Sequence, residues 1–259
     1  IAVSLLGAWL AAQAGNDFRF SIIGDRTGGA VPGVWEQTWR EADALRPDFV
    51  ITIGDAIEGR KDDAAEQEWN QIRQFLAGYR RYPIYLVAGN HDIWNARSRE
   101  LFERAAGRRA SYSFRRQDAL FVVLDNSGGF DLPADQLQFL ERELQANPKL
   151  KPKFVFFHQP CWLLALKMGS GDFALHQLAR KHGVDFIFSG HVHSYAKIVR
   201  DGVTYIQVGS SGARIKPDFD AGALVGIARF DRILLSYSLS MIPDWQAALR
   251  CAARHLADG

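Results

Sequence analysis

Five short apolar runs in this sequence each end, within three residues, in an aspartate, an asparagine or a histidine. The runs are rich in β-branched and aromatic residues and are almost continuously apolar, which predicts β-strands covered on both faces. They are Phe18–Ile23, Phe49–Ile53, Ile84–Val87, Phe154–Phe157 and Phe186–Phe188. Helical patterns separate several of them, so the order predicts an α/β fold. Since sites in such folds form at the carboxyl ends of the strands, we expect a polar site there.

Further segments complete the predicted domain. Four have the apolar spacing of amphipathic helices: Val34–Leu45, Ala64–Tyr79, Ala134–Ala146 and Phe173–His182. Two more apolar runs, Leu120–Leu124 and Val203–Val208, predict strands. Near the end, Leu224–Phe230 and Ile233–Leu239 predict a hairpin, and Pro243–Gly259 predicts a helix. No stretch with the composition of a linker divides the chain, so we expect residues 15–259 to form one domain.

Residues 1–14 are treated separately. They read IAVSLLGAWLAAQA, carry no charge and end in Ala-Gln-Ala, although a basic region and an initiator methionine are missing. This pattern is typical of a secretory signal peptide. We therefore interpret residues 1–14 as a signal-peptide remnant and predict export to the periplasm or the exterior. The alternative is a first buried helix in a cytoplasmic protein. The stretch is too short to span a bilayer by itself.

Composition narrows the functional class. The 259 residues are 47% hydrophobic, which is typical of a globular protein with a sizeable core. The net charge is +2, from 31 basic and 29 acidic residues, so no specific nucleic-acid binding is expected. No obligate protein partner is evident. Cys161 and Cys251 have neither metal nor redox spacing, and their pairing stays open.

The polar residues after the five runs comprise two carboxylates, one amide and three histidines: Asp25, Asp55, Asn90, His158, His191 and His193. Each has a structural explanation when taken alone, because Gly-Asp after a strand is often a turn and His158 could be a buried, hydrogen-bonded histidine. Together they form a mixed nitrogen and oxygen set. Such a set suits first-row metals better than calcium, which prefers oxygen ligands throughout.

In chain order, the motifs resemble those of the calcineurin-like metallophosphoesterases: Gly24-Asp25, Gly54-Asp55, Gly89-Asn90-His91-Asp92, His158 and Gly190-His191-Val192-His193. The resemblance implies a four-layer α/β/β/α sandwich of two mixed β-sheets flanked by helices, with a dinuclear metal site at the strand C-terminal ends. It also implies a hydrolase that acts on a small phosphate monoester or diester. Its cofactors would be two divalent or trivalent first-row metal ions, manganese, iron or zinc.

The same resemblance implies a role for each ligand. Asp55 would bridge the two metals, and Asp25 and His193 would bind the first. The second would be bound by Asn90, His158 and His191. Two metals at such a site lower the pKa of a bound water, and the metal-bound hydroxide would attack phosphorus in line.

Three neighbouring residues would assist this reaction. His91 would lie beside the scissile phosphate and either stabilise its charge or protonate the leaving oxygen. Asp92 would orient His91 through a hydrogen bond, in the way that carboxylates next to a metal site orient the histidines that bind the metal. Arg26, Asn90 and His91 are the expected substrate contacts. For Arg26, an ion pair with Glu36 or Glu58 is the alternative.

The first motif departs from the family at Thr27, where a histidine ligand is usual. A neutral hydroxyl is a poorer metal ligand than imidazole. Three outcomes follow: a weaker first metal, a water in the vacant position, or direct binding by Thr27. The departure also supports a second hypothesis, a non-catalytic scaffold or interaction module that keeps the phosphoesterase fold. The His91-Asp92 pair, together with the presence of all but one of the expected metal ligands, favours the enzyme.

Two segments near the motifs have alternative interpretations. Pro160–Gly171 is apolar and ends in Gly-Ser-Gly, so it is either a lid over the site or a buried helical turn. Trp94 either stacks on the organic part of the substrate or packs in the core. Neither identifies a substrate, because function resides in sites and loops rather than in the fold.

Overall fold

Two β-sheets lie between two groups of helices in the computed structural model, which describes residues 17–167 and 172–214. The first sheet is parallel in this part of the chain and has the order β1-β2-β3: β1 (Phe20–Ile23), β2 (Phe49–Thr52) and β3 (Ile84–Tyr85). The second sheet has the order β4-β5-β6-β7-β9-β8: β4 (Tyr112–Arg116), β5 (Ala119–Val123), β6 (Lys153–Phe156), β7 (Phe186–Ser189), β8 (Ala196–Arg200) and β9 (Val203–Gln207). It is mixed, because β4 and β8 are antiparallel to their neighbours.

The helices form the two outer layers. One group packs on the first sheet: α1 (Val34–Ala44), α2 (Asp62–Leu76) and α3 (Ala96–Ala106). The other packs on the second sheet: α4 (Ala134–Ala146), α5 (Cys161–Lys167) and α6 (Ala174–His182). Among the described residues, no helix is both long and apolar enough to cross a membrane.

Alternation along the buried strands produces the layers. In β2, Val50 packs among the helices of the first sheet, while Ile51 faces the second sheet. In β5, Val122 packs among the second group of helices and Phe121 faces the first sheet. Successive side chains of a strand point to opposite faces, so continuously apolar strands bury both. This confirms the predicted four-layer α/β/β/α sandwich.

The prediction of individual elements was correct in most places. All seven predicted strands and four predicted helices within the described ranges form, with ends shifted by at most a few residues. The segment beginning at Cys161 is helical, and Cys161 itself is buried. The remaining predictions, for residues 1–14, the late hairpin, the final helix and Cys251, lie outside the described residues.

Candidate metal centre

The structure brings the six predicted ligands together at one edge of the two sheets. The first sheet supplies Asp25, Asp55 and Asn90 after β1, β2 and β3, and the second sheet supplies three histidines after β6 and β7: His158, His191 and His193. Pairs that join the sheets include His158 Nε2 with Asp55 Oδ2 at 3.1 Å and His193 Nε2 with Asp25 Oδ2 at 3.3 Å. The sheet edge predicted from the sequence is therefore where these side chains meet.

Four of the ligands form a compact group, here called the second site: Asp55, Asn90, His158 and His191. Asn90 Oδ1 lies 2.8 Å from His191 Nδ1 and 3.2 Å from His158 Nε2. The two histidine nitrogens are 3.3 Å apart. One ligand atom from each of Asp55, His158 and His191 lies within 4.8 Å of the other two. These separations place donor atoms around a common point, as metal coordination requires.

Hydrogen bonds to backbone carbonyls orient two of the imidazoles. His158 Nδ1 lies 2.8 Å from the Ile53 carbonyl oxygen, and His193 Nδ1 lies 2.8 Å from that of Arg214. A carbonyl only accepts, so each Nδ1 carries a hydrogen, and Nε2 is the nitrogen turned to the site. Such a partner fixes the tautomer and orientation of metal-binding histidines.

The first site consists of Asp25, His193 and Thr27, with Asp55 shared. Asp25 and Thr27 are fully buried. Asp25 Oδ2 accepts the backbone N–H of His191 at 2.8 Å, but Asp25 Oδ1 and Thr27 Oγ1 have no hydrogen-bond partner among the described residues. A buried polar atom without a partner costs about 1–3 kcal/mol. A bound cation, directly or through its water, would satisfy both atoms, so these residues fit a metal ion.

Backbone geometry at the ligands is unusual. Asp55, His191 and His193 have positive φ angles of 56°, 74° and 61°. Non-glycine residues rarely adopt this left-handed region, and such strain concentrates at functional sites. It turns the chain sharply at the strand ends, so that His191 reaches Asn90 and His193, two residues later, reaches Asp25.

Close packing explains two of the glycines that precede ligands. A Cβ at Gly89 would overlap the Asp55 carboxylate, and one at Gly190 would lie 2.5 Å from Asp25 Oδ1. Any side chain at either position would therefore displace a ligand contributed by another strand. These glycines serve the close approach of the strand ends.

The electrostatics of the second site favour a positive charge on one imidazole, that of His158, and a neutral imidazole at His191. For His158, burial works against the imidazolium, but the Asp55 carboxylate more than offsets it and raises the pKa. For Asp55, burial is likewise outweighed by His158, and its pKa is lowered. Burial and the nearby His158 lower the pKa of His191 to about 4, which leaves it as neutral imidazole. Neutral imidazole is the form that binds metals.

One predicted contact is wrong: Asp92 does not orient His91. His91 Nδ1 lies 2.6 Å from the backbone carbonyl oxygen of Glu58 instead. Both Asp92 oxygens are occupied by backbone N–H groups, those of Gly89, Asp55, Ala56 and Ile57, at 2.8–3.3 Å. The buried Asp92 carboxylate therefore holds the loop that carries Asp55, because the turn at Asp55 aims successive N–H groups at it.

The side chain of Arg26 is engaged within the first sheet's outer layer. Its Nη1 donates to the Ala56 carbonyl oxygen at 3.1 Å, and its guanidinium carbon lies 5.6 Å from the centre of the Trp35 ring. Neither alternative ion pair, with Glu36 or with Glu58, forms in the described part of the chain. The predicted phosphate contact of Arg26 stays a prediction.

Asn126 is a site residue that the sequence analysis missed. Its Oδ1 accepts the backbone N–H groups of His158 and Gln159 at 3.1 and 3.0 Å, and its Nδ2 donates to the Gln159 carbonyl at 2.7 Å. It thereby fixes the turn that presents His158. The signal was present, since Asn126 also follows a buried strand, β5, by a few residues.

Comparisons with known proteins agree with this geometry. The family model described as calcineurin-like phosphoesterase matches residues 18–195. Serine/threonine-protein phosphatase CPPED1 of Danio rerio is 25% identical over 219 residues, 77% of this chain and 71% of that protein. Purple acid phosphatase 15 of Arabidopsis thaliana is 25% identical over 174 residues, 57% of this chain but only 32% of that protein.

A solved structure shares the fold. It is the purple acid phosphatase PPD1 from yellow lupin seeds, with a TM-score of 0.57 and 19% identity over 76% of this chain and 45% of that one. The chain thus spans less than half the length of both purple acid phosphatases. The family model nevertheless covers well over half of this chain and all six predicted ligands. The chain therefore belongs to the calcineurin-like phosphoesterases, a family of hydrolases acting on phosphoric ester bonds.

Proposed function

We propose that this chain hydrolyses phosphate esters with two first-row metal ions, manganese, iron or zinc. The ligands of this proposal are Asp25, Asp55, Asn90, His158, His191 and His193. The observation that carries it is the convergence of these side chains beside two buried oxygens that have no partner among the described residues. Two such ions would supply an activated water and neutralise charge on the phosphoryl oxygens.

His91 is the proposed proton donor. Its Nδ1–H is committed to the Glu58 carbonyl, so the second proton of the imidazolium is held at Nε2. From Nε2 the proton can pass to the leaving oxygen, or stay and stabilise the charge of the phosphoryl group. The Glu58 carbonyl fixes the orientation of the His91 ring by accepting this hydrogen bond.

The surrounding residues position the reacting groups. The buried Asp92 carboxylate holds the Asp55 turn, and Asn126 holds the His158 turn. Asn90 and His91 adjoin in the chain and would face the same phosphate. Arg26 would have to exchange its contact with Ala56 to reach a phosphate oxygen, so its contribution is proposed to be smaller than that of His91.

The activity is tested with p-nitrophenyl phosphate and its bis ester, in the presence of each candidate metal. Turnover of the first alone would identify a monoesterase, and turnover of the second alone would identify a diesterase. The Asp55→Ala variant, which removes a shared ligand, should abolish both. Equal rates in wild-type protein and Asp55→Ala would contradict the proposal.

A non-catalytic scaffold is the second candidate, and Thr27 is the observation that favours it. Here the protein would bind metal without turning over any ester. Metal content measured on the same preparation as turnover separates the two candidates. Export, predicted from residues 1–14, is tested by comparing the mature N-terminus and location of the full gene product with those of a variant carrying charges in that stretch.

A further inference from the structure

A cavity of about 550 Å³ opens directly beside the second site. Asn90, a proposed metal ligand, forms part of its wall, and Ile93 and Trp94 continue the wall along the chain. Such a volume is in the range of small-molecule sites. A phosphate held at the metals would therefore lie beside this cavity.

One wall presents a fixed arginine. Arg99 Nη2 lies 2.7 Å from Asp125 Oδ2, and the Asp125 side chain is only 7% exposed. The other Asp125 oxygen accepts the N–H and the hydroxyl of Ser127, at 3.0 and 2.7 Å. Asp125 therefore anchors the guanidinium, which has five N–H donors and keeps most of them for a ligand.

A second arginine at the cavity, Arg60, has no partner among the described residues. Arg60 is exposed at the cavity and has neither a hydrogen bond nor an ion pair to the described residues. Asp62, at the start of α2, accepts Trp94 Nε1 at 2.9 Å and Asn95 Nδ2 at 2.8 Å. Of the two arginines that line the cavity, only Arg99 forms an ion pair with a carboxylate among the described residues.

The remaining wall is apolar. Ile93 is buried, and the half-buried Trp94 ring is held by its bond to Asp62 and by close packing on Gly59. A flat aromatic side chain held in this way offers a face or an edge for ring stacking. The cavity therefore combines an aromatic wall with two guanidinium groups, one of which has no partner in the part of the chain that the structure describes.

We propose that this cavity binds the leaving group of the substrate, and that this group carries a ring and a second anionic group, a carboxylate or a phosphate. Trp94 contacts the ring, and Arg60 and Arg99 bind the anion. The inference rests on the proposed phosphoesterase function and narrows its substrate class. Bidentate binding of carboxylate or phosphate is the interaction for which guanidinium is suited.

The test compares three aryl phosphates whose phenols have similar acidity: 4-ethylphenyl, 4-(carboxymethyl)phenyl and 4-(phosphonomethyl)phenyl phosphate. We expect kcat/KM to be about tenfold or more higher for the anionic esters, mainly through KM. Arg60→Gln should reduce this preference about tenfold, and Arg60→Lys should restore part of it. The ratio of kcat/KM between the two anionic esters distinguishes recognition of a carboxylate from recognition of a phosphate group.

Arg97→Gln is the matched control. Arg97 lies on the same helix as Arg99, but it pairs with Glu66 and Glu100 at 3.1 and 3.4 Å, and its variant should keep the full preference. Turnover of all three esters with no preference, or a preference that survives Arg60→Gln, would overturn this inference alone. Turnover of bis(p-nitrophenyl) phosphate but of none of these three monoesters would likewise overturn the inference alone. No turnover of the three monoesters or of the bis ester, with two metals bound, would overturn the proposed function and the inference with it.

Discussion

The two halves of the metal centre are built differently. In the second site, Asp55, Asn90, His158 and His191 contact one another at 2.8–3.3 Å before any ion is considered. In the first site, Asp25 and His193 meet at 3.3 Å, and Thr27 stands where the family usually has a histidine. Two buried oxygens on that side have no partner among the described residues.

The difference concerns preorganisation and ligand number. A site whose donor atoms are already assembled loses less free energy to ordering when it binds. The donor atoms of the second site are already assembled, and two of its proposed ligands are imidazoles. The first site has one imidazole, one carboxylate of its own and a hydroxyl. We therefore expect the two ions to bind with unequal affinity, the first more weakly.

The largest effect on metal content and activity is expected from removing Asp55, the proposed ligand that the two sites share. Asp55→Ala should lose both metals and lower kcat/KM about a thousandfold or more, because no remaining carboxylate screens the two cations from each other. Elemental mass spectrometry and steady-state kinetics measure the two effects. Asp48→Ala, at an exposed position that pairs with Arg116, is the control. A variant that kept both metals would show that Asp55 is not the bridge.

His91→Ala should affect catalysis without affecting either half. We expect about a hundredfold to ten-thousandfold loss of kcat with a poor leaving group, and less with p-nitrophenyl phosphate, whose leaving oxygen needs no proton. Metal content should stay at the wild-type value. If both leaving groups lose equally, His91 stabilises charge rather than donating a proton.

Asp92→Asn tests the link between the first sheet and the second site. In the wild-type protein, backbone N–H groups donate to the Asp92 carboxylate. The amide nitrogen of asparagine cannot accept these hydrogen bonds, so one or two of the backbone N–H groups would lose their acceptor. We expect unfolding free energy to fall by about 2–4 kcal/mol, with weaker metal binding. Urea unfolding of the metal-free protein measures the loss. Unchanged stability combined with a loss confined to poor leaving groups would instead restore Asp92 as the partner of His91.

Thr27→Val should have the smallest effect and should change only the first site. Valine has a similar shape and lacks the hydroxyl, so the affinity of the weaker metal should fall about tenfold or less, as for loss of one polar contact. Metal titration followed by calorimetry measures both affinities. Thr38→Val on α1 is the control, since Thr38 bonds to the Val34 carbonyl instead. A fall in the affinity for the more tightly bound metal would show that Thr27 acts on the second site and not on the first.

Elements with strong local signals were predictable. Helix α4 runs from Ala134 to Ala146 as predicted, between Pro133 and Pro148. Strands β4 and β8 were missed, because they lie at the edges of the second sheet and are partly exposed, without a continuous apolar run. Helix α3 was missed because few of its residues are apolar, although the capping pair Asn95 and Ser98 marks its start.

The site was predictable where side-chain identity carries the chemistry. The six proposed metal ligands were predicted from the polar residues that follow five strands, and the structure brings their side chains together. The partner of His91 was not, because it is the backbone carbonyl of Glu58, which any residue would offer. The contacts of Asp92 are also with backbone groups, and they depend on the positive φ of Asp55. Sequence patterns report side chains, and these two interactions are made by the main chain.

The most direct test of the inequality between the halves is a graded chelation of the purified protein, with metal content measured by elemental mass spectrometry at each step. The account predicts about two metals per chain at the start and a plateau at one while chelator removes the first-site ion. The ion that stays should be lost in His158→Ala. A single step that removes both ions together would contradict the account, and so would a protein that takes up no manganese, iron or zinc.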